Sequence, residues 1–180
     1  MARLSRLVLA LTLLLVFAPS LGDAASNGPP PGFPPDGSNI PVGKEAQLGV
    51  RDAKSGGETT AIYWARCSGN TQGWPSSDRA RAVGYSYMSC DAPAIYQSQT
   101  ISLYRCEYVE NGICYNGTWV TQMGPTCSKL GWGSFWCPAG TAVYAQTVYT
   151  PGTYIEITKH WASSIGTAWS SSYDFWLNGL

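Results

Sequence analysis

The chain has 180 residues, with 11 basic and 11 acidic side chains and one histidine. That balance leaves no basic excess to displace phosphate counterions and no run of like charge, so nucleic acid is excluded as an evident partner. Eight Trp and eleven Tyr stand against few leucines beyond residue 24.

Residues 1–24 place Arg3 and Arg6 ahead of an apolar run of 12 residues that breaks at Pro19 and ends among small residues. This is the layout of a secretory signal peptide, with cleavage placed after Ala24. A membrane span needs about 20 apolar residues and the run is too short for one. Without residues 1–24 the chain keeps nine basic and ten acidic side chains. A secreted, extracellular protein of one domain is expected, with no membrane span once the leader is removed.

Residues 25–43 are rich in proline and glycine, a composition that favours extended polyproline conformations over a packed core. They are expected to form a flexible tether, with the domain occupying residues 44–180. Beyond Lys44, short segments rich in Val, Ile, Thr, Tyr and Trp recur between turn signals, and no helical periodicity persists. The segments are residues 59–67, 81–90, 99–109, 113–121, 140–149 and 152–161. Ser68-Gly69-Asn70 reads as the turn closing the first. In the second, Ala82, Gly84, Ser86, Met88 and Cys90 share one face, and Arg81, Val83, Tyr85 and Tyr87 the other. Strand after strand without a crossover helix predicts an all-β fold, an antiparallel two-sheet sandwich. Trp64, Trp119, Tyr104 and Tyr144 are the expected core rings.

Two hairpins are predicted. Thr150-Pro151-Gly152-Thr153 suits a type II turn, with Gly152 accepting positive φ. Glu110-Asn111-Gly112-Ile113 suits a type I′ turn. In that register Cys106 and Cys114 point to opposite sides of the sheet and would bond to two different neighbours. A looser five-residue loop would instead let them form a local clasp.

All six cysteines, Cys67, Cys90, Cys106, Cys114, Cys127 and Cys137, follow the leader. An even count in an exported chain reads as three disulfides that staple the sandwich, with connectivity open. No C-x-x-C occurs and His160 is far from every cysteine, so no metal and no cofactor are expected. A disulfide closing residues 127–137 would contribute on the order of 3 kcal/mol. It would also hold Trp132, Phe135 and Trp136 in a glycine-rich loop.

Catalytic motifs are weak. His160 has Ser163, Ser164 and Asp174 near it in sequence, but no G-x-S-x-G elbow, so a strand-end or surface histidine is the expected reading. Among Asp91, Glu107, Glu110, Glu156 and Asp174 no pair stands out for glycoside hydrolysis. Glu156 alternates with Tyr154 and Thr158 as on a solvent-facing strand. Asn116-Gly117-Thr118 fits a glycosylation acceptor, with turn formation the simpler role.

The order of a cysteine-bearing strand, a short hairpin, G-x-W, a glycine-rich loop and a Cys-Pro-x-Gly-Thr turn, across residues 100–154, resembles small exported all-β proteins of Gram-positive soil bacteria. The resemblance implies a β-sandwich and export, and carries over no catalytic residue.

Aromatic excess points to binding, since Trp and Tyr combine an apolar face with a polar edge. The candidate ligand-binding residues are Trp74, Tyr85, Tyr87, Trp132, Phe135 and Trp136. The expected function is a non-catalytic binding or extracellular structural role, with a polysaccharide or cell-surface ligand. The alternatives are a small secreted hydrolase using His160 or Glu156, and an inhibitor or toxin-like effector with a protein partner.

Overall fold

The computed structural model describes residues 28–49, 66–91, 96–131, 133–139, 146–163 and 165–180. The predicted signal peptide, most of the segment 59–67 and the residues Trp64, Trp132, Tyr144 and Ser164 lie outside these. Among the described residues the strands are β1 (Ser38–Pro41), β2 (Ala46–Leu48), β3 (Cys67–Pro75), β4 (Arg81–Cys90), β5 (Tyr96–Cys106), β6 (Tyr108–Glu110) and β7 (Ile113–Gln122). They continue as β8 (Cys127–Leu130), β9 (Gly133–Ala139), β10 (Gln146–Thr147), β11 (Gly152–Ala162), β12 (Gly166–Ser171) and β13 (Phe175–Leu177).

The architecture is the expected all-β sandwich of two antiparallel sheets with three disulfides. The first sheet runs β1-β7-β5-β11-β12, with β6 on β7, β8 sharing the edge of β5 with β7, and β13 sharing the edge of β11 with β12. The second runs β10-β4-β3-β2, with β9 beside β10 on β4. Segment 81–90 forms β4 with the predicted alternation: Ala82, Gly84, Ser86, Met88 and Cys90 are buried, while Arg81, Val83, Tyr85 and Tyr87 are half-buried on the outside.

Strand β11 is enclosed on both faces. On its outer side Ile155 and Ile157 pack with Phe33, Ile40, Tyr104, Cys106 and Cys114. Phe33 and Ile40 come from the stretch expected to be a tether before the domain. That stretch is instead part of it: β1 pairs with β7, the Tyr104 hydroxyl donates to the Pro34 carbonyl at 2.8 Å, and Lys159 Nζ donates to the Pro31 carbonyl at 2.9 Å. Proline removes backbone donors, so the segment leaves few amides to satisfy while Phe33 supplies apolar area. Tyr104 is wholly buried, and Trp119 is half-buried against the same cluster.

The inner side of β11 carries Tyr154, Glu156, Thr158, His160 and Ala162, all buried against β3 and β4. An apolar cluster holding Leu103, Tyr154 and Leu177 lies at one end of the inter-sheet space, and one holding Met88, Leu48 and Ala162 at the other. Between them is a polar row. Thr71 Oγ1 donates to Thr158 Oγ1 at 2.7 Å and meets Ser170 Oγ at 2.6 Å, which is 2.7 Å from His160 Nε2. Glycine faces these side chains. A Cβ at Gly69 would lie 2.5 Å from the His160 ring, and one at Gly73 would lie 2.9 Å from the Glu156 carboxyl carbon. One at Gly84 would collide with the Gln72 carbonyl and with Glu156 Oε2. Ser68-Gly69-Asn70 is therefore not the turn expected of it. It lies inside β3, in register with Ser89, Met88 and Tyr87, because the ring of His160 needs the space a side chain would take.

The disulfides are Cys67–Cys90, Cys106–Cys114 and Cys127–Cys137. The first joins residues that face each other across β3 and β4. The third crosses between the sheets, since β8 pairs with β5 and β9 with β4. The second corrects the parity argument. Asn111 and Gly112 do form the two-residue turn, with φ of 50° and 73°, and Glu110 faces Ile113. Cys106 and Cys114 nonetheless bond, with Cα atoms 5.2 Å apart. Parity requires an unbroken pleat, and here Glu107 bends between β5 and β6 while Asn116 takes φ of 49° within β7. Asn116 is thus a kink inside a strand and not a turn between two.

The other predicted hairpin, at residues 150–153, is absent. Gly152 begins β11 opposite Leu177 and is not among the residues at positive φ, while β10 pairs with β4 of the other sheet. Residues 148–151 carry the chain from one sheet to the other.

The glycine contacts make a double-mutant cycle informative. Gly69→Ala is expected to destabilise the native chain by about 1–3 kcal/mol through overpacking. In a His160→Ala background the cost should shrink, giving a favourable coupling within the usual range of about 0.5–3 kcal/mol. Gly84→Ala should stay destabilising in a Glu156→Ala background, because a backbone carbonyl also blocks it. Urea denaturation of the single and double variants measures all of this.

Candidate aromatic binding face

Because Gly69, Thr71 and Gly73 of β3 point inward, Ser68, Asn70, Gln72 and Trp74 point outward. The same alternation puts Tyr85 and Tyr87 on the outside of β4, with Gln72 opposite Tyr85 and Asn70 opposite Tyr87. On β9, Trp136 stands opposite Tyr87 and Ser134 opposite Ser89. Three adjacent strands therefore present one row of rings.

The rings touch in series. Trp74 and Tyr85 have centroids 5.7 Å apart with planes at 78°; Tyr85 and Trp136 are 4.7 Å apart at 81°; Trp136 and Tyr87 are 4.6 Å apart at 47°. Trp136 is 58% exposed and Trp74 42% exposed. Each phenol is held by a hydroxyl or amide: Tyr85 donates to Gln72 Oε1 at 2.7 Å, and the Tyr87 hydroxyl lies 2.6 Å from Ser134 Oγ. The Ser134 and Ser89 hydroxyls hold the Tyr87 phenol below its ordinary pKa. Beside Trp136 and Tyr87 an open groove of about 220 Å³ is lined by Glu45, Ser68, Asn70 and Gln72.

Four of the six residues singled out in the sequence, Trp74, Tyr85, Tyr87 and Trp136, are thus brought together. Phe135 is not with them. It has the opposite parity on β9 and packs inward against the Met88 cluster. Trp132 lies outside the described residues. Sequence reasoning alone does not find Asn70, Gln72 and Glu45: Asn70 reads as a turn residue, and the register of β3 with β4 is the missing information.

Strand β9 is held in place from inside. Cys137, next to Trp136, bonds to Cys127 in the other sheet, and Gln99 Nε2 donates to the Phe135 carbonyl at 3.3 Å. Gln97 Nε2 reaches the Gly131 carbonyl at 2.6 Å. Of the other exposed rings, Tyr96 pairs with Trp161 and Tyr108 with Tyr115, while Tyr149, Tyr173 and Trp176 also face solvent, outside the row.

The groups expected to serve a hydrolase sit elsewhere. Glu156 is 0% exposed and not on a solvent-facing side, because both faces of β11 are covered. His160 is two residues from the end of β11 but equally enclosed, its Nε2 on Ser170. Ser163 accepts from the Tyr96 amide and Asp174 is exposed, so neither joins His160. Glu107, Glu110 and Asp91 are surface residues. No group of three or more His, Cys, Asp or Glu side chains suited to a metal ion occurs among the described residues.

No protein-family model, curated protein or solved structure matches this chain.

The enclosed pair has a measurable signature. Burial pushes the Glu156 carboxyl well above its ordinary value of 4.5, and holds His160 down from 6.5 to about 3. Neither Glu156 oxygen has a hydrogen-bond partner within the described residues, and the atoms crowding the carboxyl include Phe175 and the glycines of β3 and β4. Folded Glu156 keeps its proton after the unfolded chain has lost it. Its contribution to stability is therefore complete below about pH 4.5 and is lost as pH rises from there toward the folded value. His160 works in reverse: its contribution is complete above about pH 6.5 and is lost as pH falls toward about 3. Between the two ordinary values the two slopes oppose each other. Glu156→Gln should leave the acid side unchanged and remove the decline on the alkaline side. Its stability relative to the native chain should grow by about 1.4 kcal/mol per pH unit above the carboxyl's unfolded pKa until the folded one is reached. Urea denaturation at pH 4, 6 and 8 tests this, and a difference constant across the three would refute a neutral carboxyl.

Proposed function

We propose that this protein is an exported, non-catalytic binding module that uses the Trp74, Tyr85, Trp136 and Tyr87 row to hold a carbohydrate polymer. The observation that carries the reading is the continuity of four rings across β3, β4 and β9 on a face open to solvent. An exposed apolar row costs solubility, and monomeric proteins rarely keep one without a use for it. Indole and phenol faces stack on the C–H faces of pyranose rings, while neighbouring amides and hydroxyls read the sugar's hydroxyl groups.

Three features support the setting. The three disulfides are compatible with an oxidising compartment. Residues 1–24 have the layout of an export leader. The two side chains that a hydrolase reading relied on, Glu156 and His160, are sealed between the sheets, where no polymer reaches them.

The test is retention of the oxidised mature chain on a panel of soluble and insoluble polysaccharides, followed by intrinsic tryptophan fluorescence. Saturable binding with a fluorescence change is expected, and Trp136→Ala should weaken it at least tenfold. The same variant should lose no more than about 1–3 kcal/mol of stability, the worth of its two ring contacts. Retention unaffected by Trp136→Ala, or no retention on any polysaccharide, would overturn the reading and turn attention to a protein partner.

A further inference from the structure

Resting on the carbohydrate reading, we infer that the ligand is a single uncharged glycan chain, taken one residue deep beside Trp136, and not the face of a crystalline polymer. The first argument is the ring geometry. A crystalline face is a plane, and successive rings that lie on a plane are parallel to one another. Here no two rings in contact are parallel: Tyr85 stands at 78° to Trp74 and at 81° to Trp136, and Tyr87 is tilted 47° from Trp136. Tyr85 is anchored at its tip by its hydroxyl on Gln72, and the flanking Trp74 and Trp136 rings set the attitude of its plane. From each ring to the one it touches the row is corrugated, and such a surface suits a flexible chain that follows it.

The second argument is the groove. At about 220 Å³ it is smaller than sites for drug-sized ligands, which run to roughly 300–1,000 Å³. It has room for one sugar ring, with the rest of the chain running out along the rings. Its walls are an indole and a phenol on one side and the side chains of Asn70, Gln72, Ser68 and Glu45 on the other. Amides, a hydroxyl and a carboxylate engage hydroxyl groups around the edge of a sugar, and those edges are free on a single chain but packed against neighbours in a crystal.

Charge sets the class of glycan. Apart from Arg81, which is paired with Asp78 at 3.1 Å, the outward side chains of β3 and β4 are Ser68, Asn70, Gln72, Trp74, Val83, Tyr85, Tyr87 and Ser89, none of them charged at neutral pH. The one charge in the groove is the Glu45 carboxylate. It repels uronate and sulfate groups and leaves neutral sugars as the ligands that fit.

The experiment is titration of the oxidised mature chain with soluble neutral hexasaccharides of β-1,4-linked glucose, mannose, xylose and N-acetylglucosamine. Depletion assays with crystalline cellulose, crystalline chitin and soluble polygalacturonate run in parallel. At least one hexasaccharide is expected to bind saturably with a tryptophan fluorescence change. Asn70→Ala should weaken that binding about tenfold, the fold-change of one lost hydrogen bond, without altering the unfolding midpoint. Binding to a crystalline polymer that no hexasaccharide displaces, or preference for polygalacturonate, would overturn this inference while leaving a carbohydrate module in place. Hexasaccharide binding that Asn70→Ala leaves unchanged would remove the groove from it. No binding to any of these carbohydrates would remove the parent reading, and this one with it.

Discussion

The two sheets meet across glycine. At Gly69, Gly73 and Gly84 the inner surface of β3 and β4 has no side chain, and the space is filled from β11 by His160 and Glu156. Most sandwiches fill the gap with interdigitating apolar side chains from both sheets. Here polar side chains reach from one sheet against the bare backbone of the other, flanked by apolar clusters at both ends. Burying a polar group without a partner is costly, and the arrangement is eased because burial favours the neutral forms of Glu156 and His160 and the Thr71, Thr158, Ser170 and His160 side chains bond to one another.

That constraint reaches the outer surface through the pleat. Alternation along a strand is strict, so placing Gly84 and Ser86 inward obliges Tyr85 to face outward, and placing Gly69, Thr71 and Gly73 inward does the same for Asn70 and Gln72. The volume that an ordinary sandwich would take from inward aromatics on these strands is supplied by β11 instead. The rings of β4 are left for the outside. Strand β9 adds Trp136 in register, and the Cys127–Cys137 bond beside it ties that strand to the opposite sheet. A ring clamped at its backbone loses little further freedom when a ligand arrives, which is how preorganisation favours binding.

Much of this was legible from pattern. Residues 81–90 alternate without interruption, and both the strand and its two faces follow from that alone. Three dependences on tertiary structure explain what was not. Glycine beside serine and asparagine normally marks a turn, yet Ser68-Gly69-Asn70 is strand because a histidine ring ninety-one residues later in the chain occupies the space. Ile155 and Ile157 look like the core face of β11 and Glu156 like its wet face, yet both are buried, since the proline-rich segment closes the side that a lone sandwich would leave to water. Parity separated Cys106 from Cys114 because a pleat was assumed through Asn116, whose backbone is left-handed. In the first two cases a local rule held until a residue distant in sequence changed its premise, and in the third a left-handed residue inside the strand broke the pleat on which the rule rests. The ring row was half legible: the Tyr85 and Tyr87 stripe is written in one strand, but its junction with Trp74 and Trp136 depends on how three strands pair.

The two outer faces end up unlike each other for one reason. Residues 28–42 lie across the first sheet, where Phe33 and Ile40 seal the apolar surface of β5, β7 and β11. Nothing described covers the corresponding face of the second sheet, and its exposed groups are of a different kind: rings edged by amides and hydroxyls. A face designed only to be wet would carry charge, as edge and surface positions of sandwiches usually do, and this one carries almost none. A face designed only to be buried would not hold Asn70 and Gln72 beside its tryptophans. The combination of apolar planes with uncharged hydrogen-bonding groups matches a ligand that is itself apolar on its faces and hydroxylated at its edges. Sugars have that character, and this match of surface chemistry, not the fold, is the ground on which a carbohydrate ligand is proposed.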